Sequence, residues 1–110
     1  MVILSISIFA KTHKRSELLS ALRQLSELTE LETGCQDCRI YQEIGDQDLI
    51  NLEEIWLHRS DLDTHFCSDI FSALLGAVKL LGQSYEIRIN DEMHTDGMDA
   101  IEGVWSRQCK

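Results

Sequence analysis

Proline is absent from this chain, and basic residues are scarce: ten Lys and Arg stand against nineteen Asp and Glu. Without proline no rigid linker is expected, and compact turns fall to Gly and Asp. The formal charge of −9, with no basic cluster longer than Lys14-Arg15, argues against nucleic acid or an anionic membrane as the main partner. No apolar run approaches the roughly 20 residues that span a bilayer. The start, MVILSISIFAK, has no basic residue ahead of its apolar part and alternates in period two, so it reads as a strand and not as a signal peptide. Together these absences point to a cytoplasmic chain, in which Cys35, Cys38, Cys67 and Cys109 are expected as reduced thiols.

What is present suits one globular domain. At 110 residues, 44% hydrophobic and 26% charged, the chain can bury well over half of its unfolded surface without a disulfide or metal staple. Val2, Leu4, Ile6, Ile8 and Ala10 alternate with Ser5 and Ser7, which gives a first strand over 2–11. From Lys14 to Leu31 the period changes: Leu18, Leu22, Leu25 and Leu28 define an amphipathic helix, with Gly34 as its C′ residue. Cys38 to Ile44 reads as a second strand, Gly45 to Asp48 as a hairpin turn, and Leu49 to Leu57 as a third strand. Ser60 and Asp63 suggest a near capping box for a second helix. That helix should break near Ser68-Asp69 and run on through Phe71, Leu74, Leu75, Val78 and Leu81 to Gly82. Ser84 to Asn90 alternates as a fourth strand.

The order βαββαβ is ferredoxin-like, an α+β fold with two helices on one face of an antiparallel sheet. The domain is expected over residues 1–92. Residues 93–110 form a polar C-terminal extension whose apolar set Ile101, Val104 and Trp105 suggests docking on the domain or on a partner subunit. The sheet's other face would carry Ile3, Phe9, Ile55 and Leu57 beside Ser5, Ser7, Asn51 and Glu53. That mixture is too apolar to leave wet and too polar for a dry core, which suits the interface of a homodimer.

Gly34-Cys35 after the first helix, LEEIW at Leu52 to Trp56, and Leu62-Asp63-Thr64-His65 followed by Ser68, Asp69 and Phe71 resemble the antibiotic biosynthesis monooxygenase domain family over roughly residues 1 to 90. The resemblance implies a dimeric α+β barrel with a pocket between sheet and helices for a small, often aromatic or quinol-like molecule. It implies oxidation of a hydroquinone or polyphenol by O₂, with no metal, flavin or other cofactor. The haem-degrading branch has an Asn in its first strand, a Trp in its second helix and an iron-binding His some ten residues later. Here the strand lacks Asn, His65 takes the place of the Trp and Leu75 falls near the place of the His, so haem degradation is not expected.

Within that frame His65 is the catalytic candidate. An imidazole titrates near neutrality and can take a phenolic proton or hold the phenolate. Trp56 would form one wall of the pocket, lined further by Leu52, Phe71, Leu74 and Leu75, with Tyr41 as a phenolic hydrogen-bonding group and Glu54 as a carboxylate whose pKa rises if buried. The plainer alternative makes His65 a helix histidine bonded to a backbone carbonyl and Trp56 core filler. The CQDC run follows a helix and enters a strand, the wrong end of the dipole to activate a thiol. No second CxxC completes a zinc site, and His13, His58 and His94 are scattered, so no metal centre is expected. Two further functions stay open: a non-catalytic ligand-binding or interaction domain, and a small carbonyl isomerase in which His65 shuttles a proton.

Overall fold

The computed structural model describes residues 1–91 and 95–109; the expected domain boundary at 92/93 and His94 fall outside them. The period-two segments form strands β1 (Val2–Ala10), β2 (Cys35–Gln42), β3 (Leu49–Trp56) and β4 (Gly82–Asn90), and the helical segments form α1 (Arg15–Thr29), α2 (Arg59–Phe66) and α3 (Asp69–Leu81). A two-residue strand β5 (Thr95–Asp96) and a helix α4 (Met98–Gln108) follow. The sheet is antiparallel in the order β2-β3-β1-β4-β5. β1 lies at its centre, where its unbroken alternation buries Leu4, Ile6 and Ile8 completely. Leu18 and Leu22 of α1 and Phe71, Leu74, Leu75 and Val78 of α3 close over that face as one core. The ferredoxin-like α+β arrangement thus follows from the hydrophobic pattern.

Several boundaries differ from those the sequence suggests, each for a local reason. β2 starts three residues early because a bulge between Cys35 and Asp37 carries its pairing down to Trp56. It stops at Gln42, and Ile44 projects almost wholly into solvent. Ser60 does not cap α2: the N-cap is His58, and Asp63 pairs with Arg59 at 2.9 Å one turn away. The break after α2 does carry a true cap, since the Phe71 N–H donates to Ser68 Oγ at 3.1 Å. Gly34 is not the C′ residue of α1, which ends at Thr29; it is the left-handed residue of the following turn, at φ +86°. Gly82 serves close approach instead, since a Cβ there would lie 2.5 Å from the Val78 carbonyl oxygen.

The opposite face of the sheet is open in this chain. Ile3, Ser5, Ser7, Asn51, Glu53 and Ile55 are half-buried, Phe9 and Leu57 exposed, and Ser7 Oγ donates to Asn51 Oδ1 at 2.5 Å. α4 packs on α2 by burying Ile101 and Val104, while the Trp105 indole N–H donates to the Phe66 carbonyl at 2.9 Å. The expectation of four reduced thiols is corrected here: Cys67 and Cys109 form a disulfide, leaving Cys35 and Cys38 free. The pairing was hidden because the partners stand 42 residues apart and only the docking of α4 brings them together. No single helix among the described residues is long and apolar enough to cross a membrane.

Candidate functional site

β3 supplies the floor of the site. Its alternation places Leu52, Glu54 and Trp56 on the core face, so Glu54 goes inside with its neighbours. Both Glu54 and Trp56 are fully buried, and the Trp56 indole N–H donates to Glu54 Oε1 at 3.1 Å. α2 crosses above this strand and lowers Leu62, His65 and Phe66 toward it. His65 is 1% exposed. Its ring lies 4.8 Å from that of Trp56, 5.3 Å from Phe71 and 6.5 Å from Phe66.

Both ring nitrogens face carboxylates. Nδ1–H donates to Glu32 Oε2 at 2.6 Å, and Nε2 lies 3.1 Å from Glu54 Oε1. The second contact falls short of full hydrogen-bond geometry, yet hydrogen bonding and charge from Glu54 are together the largest upward influences on the imidazole. Glu54 Oε2 is also buried and has no hydrogen-bond partner among the described residues. Glu32 is the link to the surface, its side chain 23% exposed. Burial pulls the imidazole pKa down, but the carboxylates of Glu54 and Glu32 together outweigh it and raise it above 6.5. Burial likewise raises Glu32 above 4.5, a rise that the charge of His65 partly opposes. The result is a partly exposed carboxyl group, an enclosed imidazole and an enclosed carboxyl group in series. Such a series can pass a proton between the surface and Glu54 Oε2.

The structure gathers His65, Glu54, Trp56 and Phe71 into this one cluster. Leu52 and Leu74 are core residues beside it, 1% exposed each. Leu75 lines instead an open groove of about 490 Å³ between α3 and α4, walled also by Phe66, Lys79, Trp105 and the two bridged cysteines. The groove and the cluster share Phe66; the rings of Trp56, Phe66 and Phe71 occupy the space around the imidazole. Tyr41 is not brought to the cluster. It pairs with Asn51 on the open face and is 45% exposed.

Glu32 was not among the candidates from the sequence. It sits in an irregular turn, where neither helical nor strand periodicity gives it a direction. The accessible signal was Gly34, whose left-handed turn lets the chain fold Glu32 back over α2. The CQDC thiols flank the site without activation: burial pushes Cys35 up to about 11 and Cys38 up to about 12. Among the described residues no group of three or more His, Cys, Asp or Glu is arranged to hold a metal ion.

The profile of the family described as antibiotic biosynthesis monooxygenase matches residues 1–76. The chain belongs to that family. Among solved structures, a conserved protein from Methanosarcina mazei Go1 is 27% identical, with a TM-score of 0.75 over 81% of this chain and 89% of that one. A structure described as an antibiotic biosynthesis monooxygenase is 22% identical, with a TM-score of 0.74 over 86% of this chain and 100% of its own. Rv0793 from Mycobacterium tuberculosis is 20% identical at a TM-score of 0.76, covering 84% of this chain and 95% of that one. The last two share the fold with this antibiotic biosynthesis monooxygenase domain. No curated protein matches it.

Proposed function

We propose that this chain is a cytoplasmic monooxygenase that oxidises a small hydroquinone or polyphenol with O₂ and uses neither metal nor flavin. The observation that carries the reading is the buried Oε2 of Glu54, without a hydrogen-bond partner among the described residues, beside the enclosed imidazole of His65. Burying charges in this way costs several kcal/mol per ion in order-of-magnitude terms and is poor value for stability alone. A substrate O–H would satisfy that oxygen. Glu54 then takes the phenolic proton, the imidazolium of His65 holds the phenolate, and Glu32 returns protons to the surface. The electron-rich phenolate passes one electron to O₂, and the resulting radical pair joins at a ring carbon bearing hydrogen. Loss of water from the hydroperoxide leaves one oxygen on a hydroxyquinone. Hydroquinone and O₂ thus become hydroxyquinone and water, with no outside reductant.

Oxygen uptake tests this. With a panel of hydroquinones and anthrones, uptake should exceed autoxidation and yield water without free peroxide, and Glu54→Gln should lower it by roughly 100-fold or more. Uptake at the autoxidation rate, in both the disulfide-bonded protein and its Cys67→Ser/Cys109→Ser variant, overturns the reading. A second reading is favoured by the rings that fill the space around His65: a non-catalytic binding domain in which the ion pair is structural. Saturable quenching of tryptophan fluorescence by the same compounds without uptake selects it. Enolisation of a carbonyl compound without O₂ consumption selects a carbonyl isomerase.

We infer also that the open sheet face pairs with a second copy of the chain. Its half-buried apolar residues, Ile3 and Ile55, lie side by side in register, flanked by exposed Phe9 and Leu57. Ile55→Glu should convert a dimer to a monomer in sedimentation velocity. A wild-type monomer at micromolar concentration would refute the pairing.

A further inference from the structure

Cys67 follows His65 by two residues, in the break between α2 and α3, and its disulfide reaches Cys109 just beyond α4, with the Cα atoms 5.3 Å apart. Cys67 is exposed and Cys109 partly so, which leaves the bond open to a reductant. α4 itself is a weak element. It is 11 residues long, begins without a side-chain cap and carries Gly103 within it. A helix that short is marginal by itself, and an internal glycine weakens it further. It stays in place through Ile101 and Val104, the Trp105 bond to Phe66, and the disulfide. The groove of about 490 Å³ runs along the same seam, with Cys67, Cys109, Trp105 and Phe66 among its walls. Phe66 in turn contacts His65 and Phe71, at ring distances of 6.5 Å and 5.0 Å. One aromatic layer separates the groove from the carboxylate–histidine array.

We propose that α4 is a lid latched by Cys67–Cys109, and that reduction of this bond opens the way from the groove, past Phe66, to His65 and Glu54. A thiolate of a dithiol attacks one sulfur, the S–S bond breaks and a mixed disulfide forms; the second thiol of the reductant then resolves it. The reductant gives two electrons and becomes a disulfide, and two protons end on Cys67 and Cys109. In a reducing compartment a surface disulfide of this kind is transient and suited to sensing. The latch has a purpose only on the catalytic reading above, but its existence does not depend on that reading.

The test uses the full chain in three forms: disulfide-bonded, reduced with dithiothreitol, and Cys67→Ser/Cys109→Ser. Deuterium uptake across residues 98–108 should quicken on reduction by about tenfold or more beyond any quickening in β1 and β3, which stay the most protected segments. Carbethoxylation of His65, followed by peptide mass, should rise with it, and the double variant should match the reduced protein. Unchanged uptake in α4 overturns the proposal. So does an α4 that opens without making His65 more reactive, or exchange that quickens in the sheet as much as in α4, which would make the bond a staple of the whole fold and not a latch. These readouts need no substrate: a lid that opens in a protein with no oxygen uptake sinks the catalytic reading alone, and uptake without opening sinks the latch alone.

Discussion

His65 Nε2 lies 3.1 Å from Glu54 Oε1, and neither side chain reaches solvent. The contact joins a helix to the strand beneath it and sets an imidazole against a carboxyl group where water cannot screen their interaction. Attraction of this kind repays the desolvation of both groups only while both are present.

Removing one partner should therefore cost more than removing both. His65→Ala should destabilise the protein by about 3–5 kcal/mol, because Glu54 is left buried beside an empty space. The double change His65→Leu, Glu54→Leu should recover most of that loss. Urea unfolding of His65→Leu, of Glu54→Leu and of the double variant measures the coupling; additive losses would mean that the pair does not act as a unit.

The pair also fixes a pH dependence. The folded imidazole pKa is raised above 6.5, so the stability that it supplies is complete below that value and is lost as pH climbs through the folded value. Glu32, raised above 4.5, acts in the same direction: the folded state favours its protonated form, an advantage lost as pH rises. Stability should be lower at about pH 9 than at about pH 6. NMR titration of the imidazole carbon-bound protons should place His65 above a free histidine, and in Glu54→Gln its midpoint should fall.

The Cys67–Cys109 bond closes a loop with a sequence separation of 42. The chain-entropy account gives about 4 kcal/mol for such a loop, and measured effects run nearer 2–4 kcal/mol. Thermal unfolding of Cys67→Ser/Cys109→Ser should show a loss in that range, matched by the reduced wild type.

Gly34 stands at φ +86°, and a Cβ there would lie 2.5 Å or less from the side chain of Asp61. Gly34→Ala should cost roughly 1–3 kcal/mol through strain and crowding. It should also loosen the turn that carries Glu32, so the His65 titration midpoint should shift toward that of a free histidine. An unchanged midpoint would mean that the Glu32 contact survives the strain.

The array was only partly legible before folding. Glu54, Trp56 and His65 could be named because each lies in a periodic segment, where alternation or helical spacing assigns a direction. Glu32 could not, since its turn has no period. Tyr41 was misplaced with respect to the cluster because register alone decides which face of β2 meets the helices, and its partner Asn51 lies on the open side.

The sequence by itself determined the four main strands, the three helices that cover them and the inward turn of a carboxylate at Glu54, because burial of alternating and helical apolar sets follows from local spacing. Tertiary structure alone decided which groups meet across long separations: Glu32 with His65, Trp105 with Phe66, and Cys67 with Cys109. No local rule couples residues that far apart. Their meeting depends on how α2 and α4 dock once the sheet exists, and so did the change from expected thiols to a bonded pair.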